Sequence, residues 1–287
     1  MHWIPGIIVL VVVAFLLDRE IYFYEGVHLG PRLQAWLYDR WSKKYDESKR
    51  ASQLRDDEML ARPLLEALRD VPEPFILDFA TGTGRLSYAL LHRSELRGNI
   101  VALDLSLGML EQAATKLNSA LTTGQESSST HAKKARVEFI RHLALPLPFP
   151  DAAFDAVCAL EVLELFPSMH EPLRELTRVL RPGGVFLTSR GTEDSGRKAK
   201  VKSVSAFSSL LEKHRLEQIQ ITPWWKLFDR VIAIKHGNTA SVKTRGLSAV
   251  LKCSSCNSTH WAQMSRTWQC ESCGKELPVT EQKIVLN

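Results

Sequence analysis

Several function classes are made unattractive by what the chain lacks. It holds 5 cysteines in 287 residues, four of them near the C-terminus, so there is no spread-out disulfide framework of the kind that holds small secreted domains together. Its 37 basic and 32 acidic residues leave a formal net charge of only +5, too mild to argue for a nucleic-acid partner. No internal repeat is visible, which excludes a solenoid. Charge is absent altogether from residues 3–17, where Ile7-Ile8-Val9-Leu10-Val11-Val12-Val13-Ala14-Phe15-Leu16-Leu17 runs unbroken.

That uncharged stretch fits a cleaved signal peptide poorly. No Lys or Arg precedes it, and no small-x-small site follows it. Its 15 residues fall short of the ~20 of a spanning helix. Residues 1–2 and 21–24 extend it if Asp18, Arg19 and Glu20 reach the headgroups. A soluble protein would hardly expose such a run, so the expectation is a membrane-anchor helix over 1–20, with a buried N-terminal helix as the alternative. Arg19, Arg32, Arg40, Lys43 and Lys44 then place the rest of the chain on the cytoplasmic side of a membrane.

Farther on, Ile76-Leu77-Asp78-Phe79-Ala80-Thr81-Gly82-Thr83-Gly84 reads as a strand running into a glycine turn. Val101-Ala102-Leu103-Asp104 follows as an apolar strand ending in a carboxylate. The glycines let backbone approach a ligand, and an acidic side chain about twenty positions on suits a ribose diol. A dinucleotide site would want a third glycine where Ser87 stands, and Asp78 would repel a pyrophosphate while suiting an ammonium group. The loop therefore favours S-adenosylmethionine over NAD. A plain strand-to-helix turn remains the alternative.

Downstream stand Leu147-Pro148-Phe149-Pro150-Asp151 through Val157, a helical stretch from about Pro172, and Arg181-Pro182-Gly183-Gly184-Val185-Phe186-Leu187. In this order the blocks resemble the class I methyltransferases, in particular the type 11 branch that includes the ubiquinone and menaquinone C-methyltransferases. The resemblance covers about 35–236 and takes in Tyr38-Asp39-Arg40-Trp41 through Tyr45-Asp46, similar to the segment that closes over the cofactor in that branch. It implies Asp78, Ala80, Thr81, Gly82 and Gly84 around the methionine portion, Asp104 on the ribose, and Leu105 and Met109 flanking adenine. Ala80 stands where the family usually has glycine, a change the turn absorbs if that residue keeps φ below zero. His142-Leu143-Ala144 stands where the family often has an Asp-Ala pair on the adenine amino group.

Short apolar runs at 75–79, 100–103, 137–140, 156–160 and 185–189 alternate with helical periodicity near 58–70, 85–93, 107–120 and 170–180. The fold class expected is α/β, a doubly wound seven-stranded Rossmann-like methyltransferase sheet. Segments 216–222 and 228–235 form its last hairpin, with Trp224 and Trp225 in the loop. The polar run 121–134 reads as a surface insertion. Methyl transfer to a nucleophilic acceptor needs little acid-base machinery. Glu161 and Glu164, after the fourth strand, are the catalytic candidates, each weighed against an ordinary helix-surface carboxylate; His170 follows nearby.

Cys253-Ser254-Ser255-Cys256 and Cys270-Glu271-Ser272-Cys273 lie thirteen residues apart. Two Cys-x-x-Cys knuckles supply four thiolates to a tetrahedral Zn²⁺, the pattern of a structural zinc ribbon. Cys158 reads as a core residue. Lys252, Arg266, Lys275 and Lys283 are offset by Glu271, Glu276 and Glu281, so the ribbon is read first as a protein-docking or stabilising module and second as an RNA contact. Trp261 and Trp268 are its expected core.

The resulting organisation is an anchor (1–20), an amphipathic linker and cofactor lid (21–48), a methyltransferase domain (49–236), a linker (237–249) and the four-cysteine zinc ribbon (250–287). The function expected is S-adenosylmethionine-dependent methyl transfer to a lipid or other small molecule by a membrane-tethered enzyme. An RNA or protein methyltransferase that uses the ribbon to hold its substrate, and a non-catalytic scaffold with a relic pocket, stand as alternatives.

Overall fold

A computed structural model describes residues 4–123, 135–195, 201–242 and 245–287; most of the expected insertion at 121–134 lies outside them. The five apolar runs become β1 (Phe75–Phe79), β2 (Asn99–Asp104), β3 (Arg136–Arg141), β4 (Phe154–Ala159) and β5 (Leu180–Gly191), joined as parallel neighbours in the order β3-β2-β1-β4-β5. β6 (Leu216–Trp225) and β7 (Phe228–Lys235) close one side antiparallel, with β7 beside β5. A separate sheet of β8 (Trp261–Gln263), β9 (Thr267–Cys270) and β10 (Glu276–Pro278) carries the cysteine module. Among the described residues the large sheet has eight strands rather than seven. β11 (Ile284–Leu286), in the segment assigned to the ribbon, pairs parallel with β3 and covers its outer edge.

Successive residues of β1 point to opposite faces, and both faces are covered. Phe75, Leu77 and Phe79 join a core with α6 (His170–Val179) and α7 (Val204–Lys213), to which Trp261, Trp268 and Leu277 of the cysteine module also belong. Ile76 meets the other face with α3 (Arg62–Ala67) and α4 (Arg85–Leu91), while α5 (Leu107–Thr123) packs on Ala102 of β2 and Phe139 of β3. The long helix α2 (Pro31–Gln53) lies against α5.

The expected linker 237–249 runs beneath the amino ends of the strands, and its described residues are held there. Asp155, fully buried at the start of β4, accepts from Phe75 N (3.0 Å), Arg181 Nε (2.6 Å) and Val242 N (3.2 Å). Asn99 Nδ2 donates to Arg245 O, and Leu247 N to a Glu138 carboxylate oxygen.

Two further expectations need correction here. Trp224 and Trp225 are not in a loop: both end β6, and Trp224 is 1% exposed, with the Arg85 guanidinium 4.6 Å from its ring centroid. The proline before them is tolerated because β6 is the edge strand. Nor is a membrane anchor supported. α1 (Ile4–Asp18) has 15 residues, roughly 22 Å of helix against ~30 Å of hydrocarbon. The charged Arg19 and Glu20 open the next, π-helical turn, Arg19–Phe23. Among the described residues no helix is long and apolar enough to cross a membrane, so the placement on a cytoplasmic membrane face falls with the anchor.

Candidate active site

The carboxyl end of β1 turns into α4 through three left-handed residues, Ala80 (φ +54°), Gly82 (φ +56°) and Gly84 (φ +75°). Ala80 therefore does not keep φ below zero; it carries strain that the glycine usual in the family would relieve. At Gly84 a Cβ would lie 2.9 Å from Leu117 and 3.1 Å from Ala113, because α5 packs directly on the turn. At Gly82 a Cβ would meet nothing within 4 Å, so this stretch of backbone faces open space.

Two buried carboxylates organise the turn. Asp78 accepts from Thr81 Oγ1 and Ser87 Oγ, both at 2.7 Å, and is absent from the cavity lining; burial raises its pKa. Ser87, where a dinucleotide site would want glycine, thus fastens α4 to β1. Asp104 accepts from Gly82 N (2.8 Å) and Ser106 N (2.9 Å). Unlike Asp78 it borders the cavity, and burial pushes its pKa up to about 6 against those backbone donors. Five of the residues read from sequence meet at this cavity, whereas Asp78, Thr81 and Gly84 are not in its lining. Ala80, Gly82, Asp104, Leu105 and Met109 line one cavity of about 370 Å³, whose lining also includes His142, Leu143, Ala144 and Leu145.

α2 covers this cavity as the aromatic-acid segment implies. Asp39 accepts from Ser106 Oγ (2.6 Å) and Gly108 N (2.8 Å), and Asp46 from Thr83 Oγ1 (2.5 Å) and Lys116 Nζ (2.8 Å). Lys116 and the hydrogen bonds hold the Asp46 carboxyl below its usual range despite the opposing effect of burial. Tyr38 and Tyr45 project from α2 into the space between this cavity and a second one of about 310 Å³, which Trp41, Lys49, Glu161, Glu164 and Phe228 also line.

Glu161 sits at the junction of the two cavities in a left-handed conformation (φ +54°), fixed by Ser189 Oγ on its backbone N–H. Its carboxylate is held between Lys49 (2.5 Å) and Arg85 (2.8 Å), and Arg85 also grips Asp56. Glu164 accepts from Gly191 N at 2.8 Å. His170 faces His214 at 3.0 Å and lines neither cavity. The network of Lys49, Asp56, Arg85 and Glu161 was missed in the sequence, since its members lie up to 112 positions apart and share no local pattern.

Cys253, Cys256, Cys270 and Cys273 converge as their spacing implies, with all four Sγ atoms within 4.8 Å of one another and no disulfide among them. Cys253–Cys273 and Cys256–Cys270 are separated by 3.5 and 3.6 Å, close to the ~3.8 Å edge of a tetrahedron with Zn–S bonds of ~2.3 Å. Each knuckle closes alike: Asn257 and Gly274, both left-handed, donate N–H to Cys253 O and Cys270 O. The donor set fits Zn²⁺.

Residues 77–188 match the family described as "Methyltransferase domain". Over 148 residues the chain is 34% identical to a demethylmenaquinone methyltransferase of Clavibacter sepedonicus, covering 52% of this chain and 54% of that protein. A ubiquinone/menaquinone biosynthesis C-methyltransferase of Bartonella quintana is 30% identical over 39% of each chain. The chain spans about half, or less, of the length of these curated relatives. Among solved structures, a SAM-dependent methyltransferase from Aquifex aeolicus aligns with TM-score 0.51 at 20% identity, over 68% of this chain and 97% of that one. A putative S-adenosylmethionine-dependent methyltransferase from Methanococcus maripaludis aligns with TM-score 0.52 at 17% identity, over 70% and 95%. These two show the fold alone. Sheet order, turn geometry and the acidic end of β2 agree with the match of residues 77–188 to the methyltransferase domain family.

Proposed function

We propose that the chain transfers a methyl group from S-adenosylmethionine to a small, largely apolar acceptor of lipid-like character. The observation that carries this reading is the pair of adjoining cavities. One is bordered by Gly82, Asp104 and Met109 and the other by Trp41, Leu227 and Phe228, with Tyr38, Tyr45 and Glu161 shared between them. The names of the relatives, which act in menaquinone and ubiquinone formation, support an acceptor with a quinol-like ring.

When bound, the cofactor supplies an electrophilic methyl group on a sulfonium. The open backbone at Gly82 gives its methionine portion room, and Asp104 accepts hydrogen bonds from ribose hydroxyls through its cavity-facing lone pairs. Leu105 and Met109 offer apolar surface to adenine. α2 excludes water by closing over both cavities through Asp39 and Asp46, and holds the acceptor in line through Tyr38, Trp41 and Tyr45. Held by two cations, Glu161 serves to orient an acceptor hydroxyl rather than to carry off its proton. Zn²⁺ belongs at the four cysteines as a structural ion.

Calorimetric titration of the full chain with S-adenosylmethionine, followed by transfer of labelled methyl to reduced short-chain quinones, tests the reading. Micromolar binding with label incorporation is expected. Binding without transfer to any ring acceptor would remove the substrate class, and no binding would remove the activity.

A further inference from the structure

The cysteine module is joined to the cofactor cavity by more than the chain connection. Its first knuckle follows directly on Lys252, whose N–H donates to Pro148 O at 2.8 Å. Trp261 donates its indole N–H to Leu251 O at 2.7 Å and, with Trp268 and Leu277, is buried in the same core as Leu147 and Phe149. From β10 the chain returns through Val279, which bridges to Val285, and then adds β11 to the outer edge of β3. There Asn287 N donates to Arg141 O (3.1 Å), and Asn287 Nδ2 lies 3.1 Å from His142 Nδ1. His142 Nε2 lies 3.1 Å from Pro146 O, a partner that can only accept, so Nε2 carries the proton and Nδ1 accepts from the Asn287 amide.

The segment fixed in this way, 142–149, contributes His142, Leu143, Ala144 and Leu145 to the cavity that Leu105 and Met109 also line. Its far end has anchors of its own, because Glu175 accepts from Leu147 N and Arg178 donates to Leu147 O and Phe149 O. At the His142 end the backbone N–H donates to Asp104 O (3.0 Å), while among the described contacts the ring is held by Pro146 O and by the Asn287 amide, with no helix-borne side chain reaching it.

We propose that the four-cysteine module with β11 is a built-in brace of the adenine wall, and that Asn287 is a positioning residue acting through His142, so that metal occupancy at the cysteines sets cofactor affinity. This rests on the reading of the cavity as the S-adenosylmethionine site. A module of this size keeps its shape through its metal. Without the ion the tryptophans lose their frame, β11 leaves the edge of β3, and the wall of His142 to Leu145 loosens.

The test measures S-adenosylmethionine affinity calorimetrically on the zinc-loaded full chain, on the same chain after chelation, and on Asn287→Ala, Asn287→Asp and Asn287→Gln, with bound zinc and amide exchange over 142–149 followed in each. Chelation is expected to weaken binding at least about tenfold and to raise exchange over 142–146 while the sheet stays folded. Asn287→Ala and Asn287→Asp, which lack the amide donor, should weaken binding roughly three- to tenfold at full zinc content, and Asn287→Gln should recover most of the loss. Equal affinity with and without zinc, or alanine and glutamine variants that behave alike, would overturn the brace. If chelation unfolds the whole chain, the Asn287 series decides by the same criterion. Failure of the zinc-loaded chain to bind at all would overturn the cofactor reading itself, and is told apart because no variant is then needed to see it.

Discussion

The two edges of the sheet are built from the same kinds of residue and treat them in opposite ways. At the amino edge Asp155 is buried with three donors, and Arg181 beside it also donates to Pro182 O and Thr239 O, so the charges are paired. At the carboxyl edge Ala80 and Glu161 are held left-handed, and Asp104 keeps part of its carboxylate toward a cavity. Polar groups satisfied within the protein hold the fold together, whereas strain and incompletely paired polar atoms are tolerated where a ligand completes them.

The sharpest way to break this contrast is at the amino edge. Asp155→Ala leaves Arg181 buried without its carboxylate and should cost about 3–5 kcal/mol in urea unfolding. Because the cavity lies at the other edge, cofactor affinity per folded molecule should stay within about twofold. A large affinity loss in the folded variant would mean that the edges are not independent.

At the carboxyl edge the same class of change should act on binding. Asp104→Asn replaces a carboxylate by an amide that has one acceptor oxygen for two backbone donors and the ligand, and should weaken S-adenosylmethionine about 10- to 100-fold. The pH dependence sharpens this. With the Asp104 pKa raised to about 6 in the folded chain, against an unfolded value near ~3.9, the native state binds the proton more tightly. Its ionisation therefore opposes folding, and stability from this group falls as pH rises from about 4 through about 6. Cofactor binding runs the other way, since the ionised carboxylate accepts from the ribose: affinity should fall as pH drops below about 6, and Asp104→Asn should flatten the profile. An unchanged profile in the variant would move the ribose elsewhere.

The smallest effect is relief of strain. Ala80→Gly should stabilise the chain by about 1 kcal/mol, a rise in thermal midpoint of roughly 2–4 °C, because Ala80 sits at φ +54°. A loss of stability would show that packing of the Ala80 methyl outweighs its backbone cost.

Much of the sheet was legible in the sequence because parallel strands buried on both faces leave continuous apolar runs, as at 75–79 and 156–160, the second of which overlaps β4. The turn glycines and the two knuckles were legible because their chemistry is local. What escaped was non-local or short. β11 is three residues whose pairing with β3 no spacing announces. Pro223-Trp224-Trp225 looked like a loop because proline punctuates most strands, but an edge strand has a free side for it. The N-terminal run was misjudged on hydropathy, with too little weight given to a helix of only 15 residues.

β11 also has a kinetic consequence. His142 and Asn287 are 145 positions apart, so the outer edge of β3 is among the last parts of the sheet to find its partner during synthesis. Until then β3 presents an open row of backbone donors and acceptors beside the apolar Val137, Phe139 and Ile140. The nascent chain thus passes through an interval in which its sheet is assembled but sticky, and the span between β3 and β11 sets how long that interval lasts.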